Sequence, residues 1–166
     1  GQNLFKSDMA QTEQEPRDVI DAGYLSACGS ALWVNRNACP EISFAMLQLT
    51  SVMSKPSYFA FECMLGLLSW MYHNRNEIGI QYSSIAHWWL SLFTDAGWVP
   101  DPATGKSVYG GILFTAGGPI WWESKRIPHV AMSTPHGEYM GMSLGPRTPA
   151  VLRYILQTMR LIFRSH

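Results

Sequence analysis

The sequence predicts a mixed α/β (α+β) fold, an antiparallel three-stranded meander with helices, preceded by an N-terminal helical annex. Three observations carry that prediction. Positions 90–93, 108–115 and 120–125 are apolar, β-rich runs, separated by a loop at 100–106 and by Ala116-Gly117-Gly118-Pro119. Glycine pairs and Asp-Pro or Gly-Pro steps between such runs are hairpin punctuation. Between positions 42 and 72 the apolar residues recur at helical spacing instead. After the third run, Ser133-Thr134-Pro135-His136-Gly137-Glu138-Tyr139 reads as a helix start.

Taken from the N-terminus, residues 1–20 form a polar arm centred on Gln11-Thr12-Glu13-Gln14-Glu15-Pro16, expected to be extended or disordered unless a partner orders it. Ile42, Ala45, Met46, Leu49, Val52 and Met53 make one stripe of a helix, with Pro40 at its first turn, where a missing N–H costs little. A second helix is expected from near Pro56 to His73, capped by Ser54 and ended by Asn74-Arg75-Asn76. Its predicted buried stripe is Phe61, Met64, Leu65, Leu68, Met71 and Tyr72. Residues 78–82 read as a short strand or extended linker. His87, beside Trp88 and Trp89, is expected to pack and hydrogen-bond rather than ligate. Gly141, Gly145 and Pro146 compromise the helix that begins near Glu138. A fresh helix can start at Thr148-Pro149, with Val151, Leu152, Ile155, Leu156, Met159, Ile162 and Phe163 on one stripe and Arg153, Arg160 and Arg164 mostly off it.

Composition narrows the function classes. The 166 residues suit one domain, or one domain with a helical annex, and twelve basic against twelve acidic residues leave no net charge to draw nucleic acid. Only 14% of residues are charged, against roughly 25% in typical soluble domains. With seven Trp, that balance implies apolar surface for other protein subunits to cover. No apolar run reaches the roughly 18 residues of a membrane span, and no secretory signal pattern opens the chain. Cys28, Cys39 and Cys63 lack metal-ligand spacing, and are read as reduced thiols in an intracellular, reducing compartment.

The chemistry centres on two carboxylates. Asp95 ends the first apolar run, and a strand-end aspartate commonly bonds its own backbone. A first-strand Asp and a first-helix Glu can instead meet at one end of a sheet, where Asp95 and Glu138 would supply hard oxygen ligands for Mg²⁺. Asp101 reads as a turn residue, Glu123 as a strand residue, and His136 as a cap rather than a general base, since no nucleophile accompanies it.

Several motifs resemble a known family. Thr94-Asp95, Thr104-Gly105-Lys106-Ser107, Tyr109-Gly110-Gly111, Trp122-Glu123-Ser124-Lys125 and Val130-Ala131-Met132-Ser133-Thr134…Gly137-Glu138-Tyr139 follow in the order and spacing of the RNase H domain of copia-type LTR retrotransposon Pol polyproteins. Upstream, the 22–34 segment and Asn37-Ala38-Cys39-Pro40-Glu41-Ile42-Ser43-Phe44-Ala45 resemble the connection segment before that domain. The resemblance covers roughly residues 20–142 and implies a helical connection segment over 21–82 and a truncated RNase H-like domain over 83–166. It implies ancestral catalytic and metal positions at Asp95 and Glu138, and Mg²⁺ if the site is retained. Such enzymes hold two divalent ions about 4 Å apart with a larger carboxylate cluster. The family's fourth-strand and late-helix acids have no match here, and the family's basic residues on the second helix are largely replaced by Phe59, Phe61 and Leu68-Ser69-Trp70-Met71-Tyr72. Two expectations follow. The chain is a domesticated, non-catalytic remnant serving as a structural or interaction subunit, or it is part of a Mg²⁺-dependent RNase H that cleaves RNA–DNA hybrids once another chain or a longer polyprotein supplies the missing acids.

Overall fold

A computed structural model describes residues 4, 8–84, 89–97, 106–127, 150–155 and 157–158. The chain divides into two compact units, Gly1–Ile80 with Pro100–Lys106, and Gln81–Val99 with Ser107–His166. The architecture is α/β, with helices first and a three-stranded antiparallel sheet after them. Among the described residues, no helix is long and apolar enough to cross a membrane.

The first unit is built from α1 (Gln14–Asp21), α2 (Tyr24–Asn37), a 3-10 turn over Pro40–Ile42, α3 (Ser43–Ser51) and α4 (Tyr58–His73). The polar N-terminal segment is therefore not simply an extended arm. Val19 anchors α1 in the core at 1% exposure, and Leu4 is also buried. Polar bonds add to this: Glu15 Oε1 accepts from the Tyr58 N–H at 2.7 Å, and Tyr58 donates its hydroxyl to Asp18 at 2.8 Å. Tertiary contacts thus override a local composition that favours coil.

Tyr24 on α2 is fully buried and donates its hydroxyl to the Leu49 carbonyl of α3 at 3.0 Å. Burial, with Cys28 beside it, holds the phenol well above its ordinary pKa. Asn35 joins the same two helices by donating to the Cys39 carbonyl at 2.9 Å and to the Ser43 hydroxyl at 2.8 Å. Ile42, Met46, Leu49 and Val52 are buried as their spacing predicts.

The predicted details of α4 need two corrections. Its cap is Ser57, whose hydroxyl accepts from the Ala60 N–H at 3.2 Å, and not Ser54. Its buried face overlaps the predicted one, since Met64 joins the core and Phe61, Leu68 and Met71 pack against it, but Ala60, Cys63 and Leu67 belong to that face as well. Leu65 and Tyr72, predicted inside, are 50% and 64% exposed. The helix is apolar nearly all round, so periodicity alone fixes no single face.

In the second unit, β1 (Ser91–Gly97), β2 (Val108–Thr115) and β3 (Gly118–Arg126) form the sheet in the order β1-β2-β3. The predicted meander is present. The β2–β3 connection is shorter than the sequence suggested, because Gly118 and Pro119 already belong to β3. Ala116 and Gly117 alone make the turn, both at positive φ, 50° and 84°. That is the backbone twist a two-residue hairpin favours. Residues 81–83 are not a strand but lie against this turn: Ser83 N–H donates to the Ala116 carbonyl at 2.8 Å, and Tyr82 donates its hydroxyl to the Pro119 carbonyl at 2.7 Å.

One face of the sheet is covered. Tyr109, Gly111, Leu113 and Thr115 of β2 are buried, while Val108, Gly110, Ile112 and Phe114 on the other face are half-buried. A Cβ at Gly111 would meet Trp121 at 3.0 Å, so that indole sets the residue's size. The Ser107 hydroxyl, just before β2, is buried and has no hydrogen-bond partner among the described residues. Residues 150–155 and 157–158 are helical, as predicted, but Val151 and Ile155 of the expected apolar stripe are 59% and 45% exposed. The expected helix start near Glu138 lies outside the described residues.

Candidate functional site

Asp95 sits within β1 rather than at its exit, since Ala96 and Gly97 continue the ladder. It is exposed. In the ladder it stands opposite Gly110 of β2, which stands opposite Ser124 of β3. Because side chains alternate faces along a strand, these three share the half-open face of the sheet. The row on one side is Phe93, Ile112 and Trp122; the row on the other is Gly97, Val108 and Arg126.

Gly110 gives this row its shape. A Cβ built there meets nothing within 4 Å, so the middle of the row is an open notch between an acid and a hydroxyl-bearing residue. In the sequence, Gly110 reads only as part of a strand motif. The partnership of Asp95, Gly110 and Ser124 depends on strand register, which no single segment carries.

Glu123 stands apart from this arrangement. It faces Gly111, one residue off the Asp95 row, and so lies on the covered face. It accepts a hydrogen bond from the Tyr109 hydroxyl and pairs with Lys125. Asp95 and Glu123 therefore cannot share a cation across the sheet. Among the described residues, no three His, Cys, Asp or Glu side chains gather as a metal-holding group. Glu138, the second predicted ligand, lies outside the described residues, as do Asp101, His87 and His136. The pairing of Asp95 with Glu138 therefore stays an expectation from the sequence.

The cysteines show no sign of reactive chemistry. Cys28 and Cys39 are buried and Cys63 half-buried, all three free. Burial raises each thiol, that of Cys39 to about 11, which disfavours the nucleophilic thiolate.

Comparison with known proteins adds ancestry. Over 158 residues, 95% of this chain, it is 25% identical to the retrovirus-related Pol polyprotein from transposon TNT 1-94 of Nicotiana tabacum. That supports a retrotransposon Pol-related origin. The chain spans 12% of that polyprotein's length, so the match concerns one short part of it. It is also 26% identical over 120 residues to secreted RxLR effector protein 161 of Plasmopara viticola, covering 72% of this chain and 84% of that protein. No family model matches the chain, and no solved structure does.

Proposed function

We propose that this Pol-related chain is an RNase H-like remnant of the copia type that works through protein contacts, as a structural or interaction subunit of a larger assembly. The observation that carries the reading is the apolar surface beside the ancestral acid. Trp89 is 75% exposed and Phe93 60% exposed, and strand β1 contains no Lys or Arg. A surface that handles a phosphate backbone draws its affinity from cations, whereas exposed aromatic side chains suit a protein partner. Within these 166 residues only Asp95 and Glu138 match the family's acids, fewer than a two-ion site requires.

A second reading is favoured by one feature. Asp95 is exposed beside the open notch at Gly110, a place a hydrated Mg²⁺ could reach. On that reading the chain is part of a Mg²⁺-dependent RNase H acting on RNA–DNA hybrids, with further acids contributed by a longer polyprotein or another chain. The experiment is hybrid cleavage by the purified chain in Mg²⁺ and in Mn²⁺, beside Asp95→Asn. Equal background from both proteins is the expected result. Cleavage that Asp95→Asn abolishes would replace the first reading with the second.

A further inference from the structure

We infer that strand β1 is a self-association edge, on which a second copy of this chain pairs antiparallel about a two-fold axis at Phe93. Five of the seven β1 residues are exposed, from both faces of the sheet. Among the described residues β1 pairs with β2 alone. Exposed edges are normally protected by Lys, Pro, a bulge or brevity. Ser91–Gly97 contains no Lys or Pro, and its ladder with β2 runs seven residues without a register shift.

The sequence around this edge is complementary to itself in one register. Antiparallel pairing centred on Phe93 sets Phe93 against Phe93 of the second copy, Asp95 against Ser91, Gly97 against Trp89, Thr94 against Leu92 and Ala96 against Leu90. The pairs Phe93–Phe93, Asp95–Ser91 and Gly97–Trp89, all on the half-open face, match in chemistry or size. Phe93 already meets Phe114 edge-on at 5.9 Å between ring centroids, so the dimer would continue an aromatic row across both sheets. Gly97 has open space where its Cβ would be, and Trp89 is the most exposed large apolar residue among those described. An indole over a cross-strand glycine fills that gap. Asp95 and the Ser91 hydroxyl are at hydrogen-bonding positions across the pair.

Neighbouring registers are poorer. Centring on Asp95 opposes two carboxylates, and centring on Thr94 sets Phe93 against Asp95. In the Phe93 register the two carboxylates stand about 14 Å apart, four residues along the strand. That exceeds the screening length of about 8–10 Å in physiological salt. Centring on a residue also keeps the covered face of one sheet continuous with the covered face of the other. The zero formal charge of the chain adds no long-range repulsion.

The test is sedimentation velocity on the full chain over a concentration series, with circular dichroism confirming the fold of each variant. A monomer–dimer equilibrium is expected. Phe93→Lys should weaken it at least about tenfold, by removing an aromatic pair and opposing two cations. Ser91→Lys should tighten it severalfold, because the new ammonium meets Asp95 of the second copy, and adding Asp95→Asn should cancel that gain. A gain is unlike the effect of a damaged fold, and a lysine on an unrelated edge would only discourage pairing. The inference is overturned by a monomer at every concentration, by a dimer indifferent to Phe93→Lys, or by a dimer that Ser91→Lys weakens. Hybrid cleavage is read separately, so either proposal can fail alone.

Discussion

Two glycines in the sheet, eight positions apart, should respond oppositely to the same methyl group. A Cβ at Gly118 would lie 2.6 Å from the Gln81 carbonyl oxygen and 2.8 Å from two atoms of the Tyr82 ring. The carbonyl is backbone, and residues 82 and 83 are hydrogen-bonded to the β2–β3 turn and the start of β3, so the contact is relieved only by moving that segment. Overpacking of this kind typically costs 1–3 kcal/mol, and we expect Gly118→Ala to destabilise the sheet unit by about 2 kcal/mol. At Gly110 the same Cβ meets nothing within 4 Å, and the residue lies inside a strand, where glycine is unfavourable by roughly 0.5–1 kcal/mol. Gly110→Ala should therefore be neutral or stabilising by about 0.5 kcal/mol. Urea unfolding followed by circular dichroism resolves this gap of about 2.5 kcal/mol. With a slope of about 2 kcal/mol/M the midpoints separate by roughly 1.2 M. Equal midpoints, or Gly110→Ala as damaging as Gly118→Ala, would refute the packing of residues 81–83 against the turn.

Two further substitutions probe buried polar groups. Tyr24→Phe should cost about 1–2 kcal/mol, because it removes the hydroxyl donor to the Leu49 carbonyl. The raised phenol pKa also sets a pH dependence: its stabilisation is complete below the unfolded value near 10 and is lost above it, by about 1.4 kcal/mol per pH unit, so stability curves of wild type and Tyr24→Phe should converge in alkali. Ser107→Ala should stabilise by about 1 kcal/mol, since it removes a buried hydroxyl that has no partner among the described residues, and a loss in thermal or urea stability would contradict the burial described.

What the sequence made legible follows from where each signal resides. Strand runs closed by glycine and proline steps are local, and β1, β2 and β3 emerged in order. The α3 stripe was legible from its i, i+4, i+7 spacing, and Ile42, Met46 and Leu49 are buried accordingly. In α4 the stripe is less distinct: Leu65, Trp70 and Tyr72 extend the apolar surface round the helix and are exposed. The face that packs is the one carrying Ala60 and Met64, in the same core as Tyr24 and Cys28, which is a tertiary choice. The helix α1 was hidden for the converse reason, since few of its residues are apolar and long-range bonds to Tyr58 help fix it. At the candidate site, Asp95 stood out as a lone acid after an apolar run, while its place opposite Gly110 and Ser124 depends on three strands pairing in one register.

The two-residue turn at Ala116-Gly117 has a bearing on the order of folding. It leaves β2 and β3 almost contiguous in sequence, so their ladder closes with little loop entropy, on the microsecond scale typical of hairpins. Strand β1 is separated from β2 by residues 98–107, and its pairing must close that longer loop. The hairpin is therefore expected to form first and to template the pairing of β1. Asp95 reaches its row late, and its placement is inherited from a turn on the opposite side of β2. Slowing that turn would delay assembly of the acid's surroundings without altering any residue near it.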